Sequence, residues 1–203
     1  GDKMNNNLMK IMSELYNPEQ QISDLDRGGS SMEYTLKLRT ELPDLFKKYN
    51  IQSIFDAGCN DCSWMSTLIE GLDYYGGDIS QPMITDLQYR HPELKVLHHD
   101  ITTDQLPGVD LLFVKDVSIH LSYADKLKLF NNWMSSDIPW IMITHDEFGE
   151  NSDFDYKDGF PFAQVNWRVE PWNFPSPTDV IYEIDTTGRC MALWNRDQLM
   201  ELI

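Results

Sequence analysis

The stretch Ile51-Gln52-Ser53-Ile54-Phe55-Asp56-Ala57-Gly58-Cys59-Asn60-Asp61-Cys62 decides how this chain is read. Ile51 to Ala57 has the length and apolar content of a short buried strand. Gly58 follows at once, permitting a tight turn and letting a ligand approach the backbone closely. A helix is expected after Ser63, and its first N–H groups, which lack helical partners, would face an anionic group at that turn. Strand, glycine turn and helix together form the opening unit of an open α/β sheet.

Working outward, the unit recurs. Tyr74-Tyr75 is strand-like and runs into Gly76-Gly77-Asp78, and Pro82 opens a helix that closes near His91-Pro92. Lys95 to His98 reads as a third strand. Val109 to Val114 is a near-continuous apolar run, as in a central parallel strand covered on both faces. Ala124 to Trp133 is an amphipathic helix and Trp140 to Thr144 a fifth strand. Val180 to Ile184 and Cys190 to Trp194, separated by Asp185-Thr186-Thr187-Gly188, predict an antiparallel hairpin at the sheet edge. The pattern is that of a Rossmann-like α/β fold, with a mostly parallel seven-stranded sheet and helices on both faces.

Two stretches fall outside this rhythm. Upstream, Leu8 to Tyr16 has helical spacing and stops before Pro18. The turn Arg27-Gly28-Gly29-Ser30-Ser31 then leads into a helix from about Met32 to Tyr49, with Ser30 or Ser31 as its cap and Pro43 as a kink or break. Downstream, Phe148 to Asp179 is rich in Pro, Gly, Asp and aromatics without a clean period. Phe154, Tyr156, Phe160, Phe162, Trp167, Trp172 and Phe174 are too many for a linker, so the stretch reads as a folded insertion or lid beside the site. The expected organisation is one domain over 1–203, with a helical segment at 1–50 and the insertion at 148–179.

Composition narrows the function. The 203 residues carry 16 Lys and Arg against 33 Asp and Glu, a formal net charge of −17. A surface that neutralises phosphates needs a basic face, so nucleic acid and anionic membranes are not expected partners. Hydrophobic residues at 41% supply a packed core, and no apolar run approaches the roughly 20 residues that span a bilayer. Three cysteines make no disulfide framework. With no apolar stretch of signal-peptide length in Gly1 to Lys10, a cytoplasmic location is expected.

In such a sheet ligands bind outside the carboxyl ends of the strands. The four expected strand ends carry Asp56, Asp78, Asp100 and the pair Lys115-Asp116, and a solvated face would not place an acid at every one. Asp78 lies 22 residues beyond Asp56, near the spacing of about 20 at which nucleoside-binding folds place a ribose-binding carboxylate.

At these residues the chain resembles a known family. Ile54-Phe55-Asp56-Ala57-Gly58-Cys59 is similar to the glycine-rich first motif of class I S-adenosylmethionine-dependent methyltransferases. Tyr75-Gly76-Gly77-Asp78-Ile79-Ser80 is similar to their second. A bacterial-type subgroup shares more: Gly29 to Thr35, Asp61 to Met65, Lys115 to Ser122, Pro171-Trp172-Asn173-Phe174-Pro175, and Leu193-Trp194, so the resemblance runs roughly from Gly28 to Leu199. It implies S-adenosyl-L-methionine as cofactor. Asp56, Gly58 and Cys59 would shape the pocket for its methionine part, Asp78 would bind the ribose, and Asp100 the adenine amino group. Ile79 and Ile101 would flank the ring, while Lys115 and Asp116 would line the methionine side and the substrate mouth. The chain departs from the pattern at Asn60, where the family has glycine, at Cys62 and at Lys115, where the family has arginine. Asn tolerates the left-handed backbone that glycine adopts there.

His120 lies just past the fourth strand, where a base reaches a substrate hydroxyl; equally, it reads as a histidine bonded to backbone for structure. His145 with Asp146 and Glu147, after the fifth strand, reads as a base or as metal ligands beside Asp116, although carboxylates at strand ends are more often solvated. Cys59 and Cys62 form a C-x-x-C without the second pair that a zinc site needs, so they read as packing residues and no metal is expected. The expected reaction is methyl transfer to an oxygen or nitrogen of a small-molecule acceptor, with His120, Asp116 and His145 as candidate catalytic groups. Two rivals stand beside it. A nicotinamide-dependent oxidoreductase wants G-x-G-x-x-G where this turn has only Gly58, and a non-catalytic cofactor-binding partner subunit would share the binding motifs. Oligomeric state is not legible.

Overall fold

The computed structural model describes Lys10 and residues 28–156, 161–184 and 186–200. Apart from Lys10, the expected helix Leu8 to Tyr16 lies outside the described residues, as does Phe160 of the insertion.

Seven strands form one sheet: β1 (Ser53–Ala57), β2 (Asp73–Asp78), β3 (Val96–His98), β4 (Leu111–Val114), β5 (Trp140–Asp146), β6 (Asp179–Ile184) and β7 (Arg189–Asn195). Their spatial order is β3-β2-β1-β4-β5-β7-β6. The first five run parallel, with Ile54 opposite both Tyr74 and Leu111 in the register. β7 pairs antiparallel to β5 and β6 antiparallel to β7, which puts the hairpin at the edge as expected.

Helices cover both faces. α1 (Leu36–Lys48) and α2 (Gln81–Arg90) bury Leu38, Leu42, Phe46, Met83 and Leu87 against Ile54, Phe113, Met142 and Met191. α3 (Tyr123–Met134) and the short α4 (Arg196–Leu199) bury Leu129, Trp133 and Leu199 against Phe55, Leu112, Ile143 and Trp194 on the other face. Successive strand side chains point to opposite faces, and the four residues of β4 are fully buried, alternating between the two layers. Pro82 stands in the first turn of α2, capped by Ser80 Oγ, and Ser122 Oγ caps α3. No described helix is long and apolar enough to cross a membrane.

Three local expectations are corrected. The helix expected after Ser63 is only a 3₁₀ turn, Met65–Thr67. Here Ser66 Oγ donates to the Ser63 carbonyl at 3.1 Å and Thr67 Oγ1 to the Trp64 carbonyl at 2.7 Å, before Gly71 adopts φ +83°. Hydroxyls that bond nearby carbonyls in this way compete with helix propagation. The helix after the glycine-serine turn begins at Leu36 rather than Met32. Ser31 caps the turn before it, its Oγ accepting the Tyr34 N–H at 3.1 Å, and Pro43 sits inside α1 without ending it. Finally, β5 continues past Thr144 and takes in His145 and Asp146.

Part of the aromatic insertion joins the core, with Tyr156, Trp167 and Trp172 buried and Phe148 and Phe162 exposed. Trp167 stacks on Phe174 with centroids 5.6 Å apart, and Phe130 of α3 meets it edge-on at 4.9 Å. The Trp167 indole donates to the Thr144 carbonyl at 2.9 Å, and that of Trp194 to the Pro175 carbonyl at 3.0 Å. Each such aromatic withdraws roughly 150–250 Å² from water, so this part of the insertion is fixed to the sheet.

Candidate active site

A cavity of about 780 Å³, partly open to solvent, lies at the carboxyl ends of β1, β2 and β4. Gly58, Asp78, Ile79, Asp100, Ile101, Lys115, Asp116 and His120 all line it, so eight of the eleven candidate residues converge on one space.

The turn after β1 carries the tightest steric demand. Gly58 has φ +86°, and a Cβ there would lie 2.2 Å from Val117 Cγ2. Asn60 follows at φ +48°, the left-handed conformation its side chain tolerates, and Cys62 at φ +54°. The correction after Ser63 matters here, because no α-helix N-terminus faces the turn. Its N–H groups are satisfied internally: Asn60 N donates to Asp78 Oδ2 at 3.0 Å, Cys62 N to the Cys59 carbonyl, and Ser63 N to Asp61 Oδ1.

Asp78 ends β2 with Oδ2 accepting from Asn60 N and Oδ1 from Ser80 N at 2.8 Å. A carboxylate has about four acceptor positions, so both oxygens keep capacity toward the cavity. Burial raises its pKa, offset in part by the Ser80 and Asn60 amides. Asp100 lies two residues past β3, its Oδ1 accepting from both Thr102 N and Thr102 Oγ1. Ile79 and Ile101 add apolar wall beside these acids.

Asp56 and Cys59 stand apart from the main cavity and border a smaller adjoining cleft of about 290 Å³. Asp56 accepts the Tyr74 hydroxyl at 2.8 Å, and burial pushes its carboxyl up to about 7. The Cys59 thiol is held well above its ordinary range by its bond to Cys62 and by burial, while Cys62 Sγ lies 3.4 Å from the Tyr74 hydroxyl. Both cysteines of the C-x-x-C are free and buried, as packing residues are.

At the mouth, charges form a network. Lys115 Nζ contacts Asp116 and lies 2.9 Å from Glu183 Oε1, beneath the Tyr34 ring at 5.4 Å. Arg189 bridges Asp116 to Asp146, at 2.9 Å from the latter. Asp116 holds φ +56°, and a strained non-glycine residue of this kind costs about 1–3 kcal/mol and persists only where its surroundings fix it. Thr144 Oγ1 accepts its N–H at 2.8 Å while Arg189 and Lys115 clamp its carboxylate. Burial raises its pKa, but the two cations outweigh this and lower it to about 2. Gly29 is pressed against the same carboxylate, since a Cβ there would meet Asp116 Oδ2 at 2.6 Å.

His120 ends the 3₁₀ turn Ser118–His120 and is buried. Its Nδ1 lies 2.7 Å from the Pro161 carbonyl, which only accepts, so Nδ1 carries the proton and the neutral ring has its lone pair on Nε2. Burial lowers its pKa, so the neutral form is favoured at pH 7. The backbone bond that anchors the ring also sets its tautomer.

His145 lies away from this cavity. It lies inside β5, its Nδ1 accepting the Trp167 N–H at 3.3 Å, and lines a different cleft. Asp146 is engaged by Arg189 and by Val165 N. Among the described residues no group of three or more His, Cys, Asp or Glu is placed to hold a metal ion. Sequence reading passed over Arg189 and Glu183, which organise the mouth, and Ser30, Thr102 and Leu121, which line the cavity. Arg189 had one available signal, as the single basic residue between Arg168 and Arg196.

No protein-family model and no curated protein sequence matches the chain. Solved structures do. The N-methyltransferase NodS from Bradyrhizobium japonicum WM9, in complex with S-adenosyl-L-homocysteine, is similar over 93% of this chain and 98% of its own, with a TM-score of 0.64 at 12% identity. Magnesium protoporphyrin IX methyltransferase (ChlM) from Synechocystis PCC 6803 with bound S-adenosylmethionine is similar over 92% and 95%, with a TM-score of 0.59 at 15% identity. The methyltransferase domain of bacterial CtHen1 is similar over 80% and 99%, with a TM-score of 0.59 at 14% identity. The fold is that of class I S-adenosylmethionine-dependent methyltransferases.

Proposed function

We propose that this chain is an S-adenosylmethionine-dependent methyltransferase acting on an oxygen or nitrogen of a small-molecule acceptor. The observation that carries this reading is the cavity at the carboxyl ends of β1, β2 and β4, where Asp78 keeps acceptor capacity on both oxygens between the turns of Gly58 and Asp100. The residues fit the cofactor. Asp78 would hold the ribose hydroxyls, Ile79 and Ile101 the faces of the adenine, and Asp100 its amino group. Asp56, Gly58 and Cys59 would bound the space for the methionine part, and Lys115 and Asp116 would line its outer end. The cofactor supplies an electrophilic methyl group on a sulfonium.

The chain's own contribution is positioning and proton handling. Holding two reactants in line supplies several kcal/mol of such a barrier. Neutral His120, with Nδ1–H fixed on the Pro161 carbonyl, takes the acceptor's proton at Nε2. Asp116 stays ionised between Lys115 and Arg189 and offers an acceptor to a hydroxyl or ammonium at the mouth.

A nicotinamide enzyme is disfavoured on topology as well as on the missing glycines. Its usual strand order is 3-2-1-4-5-6, whereas here an antiparallel β7 lies between β5 and β6. The test is calorimetric titration with S-adenosylhomocysteine, with NAD as control. Micromolar binding of the first and none of the second is expected, with Asp78→Asn weakening it about ten- to a hundredfold, as the loss of a charged hydrogen bond does. A folded protein that binds no S-adenosylhomocysteine removes this reading. Binding without turnover on any acceptor, in wild type and His120→Ala alike, favours a non-catalytic subunit.

A further inference from the structure

A second cleft, of about 650 Å³, opens between the insertion and the β6–β7 hairpin and shares no lining residue with the cavity above. Its floor is one row across the sheet, since His145 pairs with Cys190 and Cys190 with Tyr182, flanked by Val180. Three charged side chains line it: Asp179 is engaged by Lys48 and the Tyr49 hydroxyl, while Arg168 and Glu147, opposite in sign, do not pair with each other. Arg168 is exposed and has no ion pair among the described residues, yet its backbone is rigid: its N–H is bonded to Asn166 Oδ1, and Trp167 beside it is fully buried. Glu147 is anchored at both ends. Its N–H donates to the Gly188 carbonyl, its carbonyl accepts from Asn166 Nδ2 at 2.8 Å, and Oε2 accepts the Tyr182 hydroxyl at 2.9 Å, with no cation paired to its carboxylate among the described residues.

We propose that this cleft is a second small-molecule site, which takes a zwitterionic α-amino acid with an apolar side chain. A guanidinium matches a carboxylate with two parallel N–H donors. The Glu147 carboxylate, already oriented by Tyr182, receives the ammonium, and Val180 and Cys190 provide apolar wall for the side chain. Either a lone anion or a lone cation would leave one fixed charge unanswered, which is why both ends of the ligand are specified. The Glu147 carboxylate is oriented beforehand by Tyr182, whereas the exposed Arg168 side chain is ordered when the ligand binds.

The test is calorimetric titration of the full chain with L-leucine, using isovalerate as the carboxylate-only probe and isoamylamine as the ammonium-only probe. Saturable binding of L-leucine is expected, tighter than either single-ended probe. It should weaken about ten- to a hundredfold in each of Arg168→Met and Glu147→Gln, as charged hydrogen bonds are lost. The proposal is overturned if folded wild type does not bind L-leucine, if isovalerate binds as tightly, or if both variants bind like wild type. S-adenosylhomocysteine titrated into the same variants reads the other cavity, so failure of one reading is distinguishable from failure of the other.

Discussion

At position 58 a side chain has nowhere to go. The residue holds φ +86°, and an added Cβ would sit 2.2 Å from Val117 Cγ2, which belongs to the backbone-anchored turn after β4. Gly58→Ala is therefore expected to lower stability by about 1–3 kcal/mol and to abolish S-adenosylhomocysteine binding. Gly108→Ala, where a Cβ meets nothing within 4 Å, should leave both near wild type. Urea titration and calorimetry on the pair decide it, and an unperturbed Gly58→Ala would show that the two turns are not packed as described. Asp56 makes a second residue-scale case. Burial lifts its carboxyl to about 7, against an ordinary value of 3.8. The folded state thus keeps a proton that the unfolded chain releases, and stability falls as pH rises from about 4 to about 7, then levels off. Asp56→Asn removes that loss and keeps an oxygen for the Tyr74 hydroxyl. Relative to wild type it should gain stability between pH 4 and pH 8, by on the order of 4 kcal/mol at most. A difference that does not change with pH would mean the carboxyl titrates alike in both states.

Among the elements, the β6–β7 hairpin does more than end the sheet. Its first residue on the return strand, Arg189, holds Asp116 and Asp146, and Glu183 on the outgoing strand meets Lys115. The hairpin thereby fixes the backbone of the turn after β4, including the strained Asp116. Arg189→Met leaves buried carboxylates unanswered and should cost about 3–5 kcal/mol at pH 7. Arg189→Lys recovers only part of it, because an ammonium cannot bridge two carboxylates as a planar fork does. Asp116 has its pKa lowered to about 2, so its stabilising contribution is present above pH 4 and is lost as pH falls through about 2. The gap between wild type and Arg189→Met, read by urea titration, should accordingly narrow below pH 4. A gap that stays constant would show that Arg189 acts by packing alone.

Over the whole molecule, the two apolar layers meet through one sheet, and the insertion is bonded into one of them through Trp167 and Trp194. Unfolding should then be a single transition, with far-ultraviolet circular dichroism and tryptophan fluorescence giving coincident midpoints. Separated midpoints would mean that the tryptophan-rich insertion, or the segment before α1, melts on its own. The net charge of −17 acts at the same scale and opposes nonspecific association with phosphate-bearing polymers.

Sequence alone determined the layered α/β architecture, because buried parallel strands demand apolar runs such as Val109 to Val114 and their connections demand turn residues such as Gly58. It also placed Asp78, Asp100 and Lys115-Asp116 at one end of the sheet, since strand order and direction carry strand-end residues together whatever the loops do. It misjudged the segment after Ser63, where serine and threonine hydroxyls outcompete the helix at short range, and the length of β5. Only the tertiary structure decided that His145 faces a second cleft, that Tyr156, Trp167 and Trp172 of the insertion are core while Phe148 and Phe162 stay exposed, and that Arg189 clamps Asp116 from 73 residues away. Strand periodicity and turn chemistry are local and can be read from neighbours in the chain. Which face a residue takes once a strand is extended, and which distant charge answers a buried one, depend on pairing register and packing, and these are set only when the whole sheet has closed.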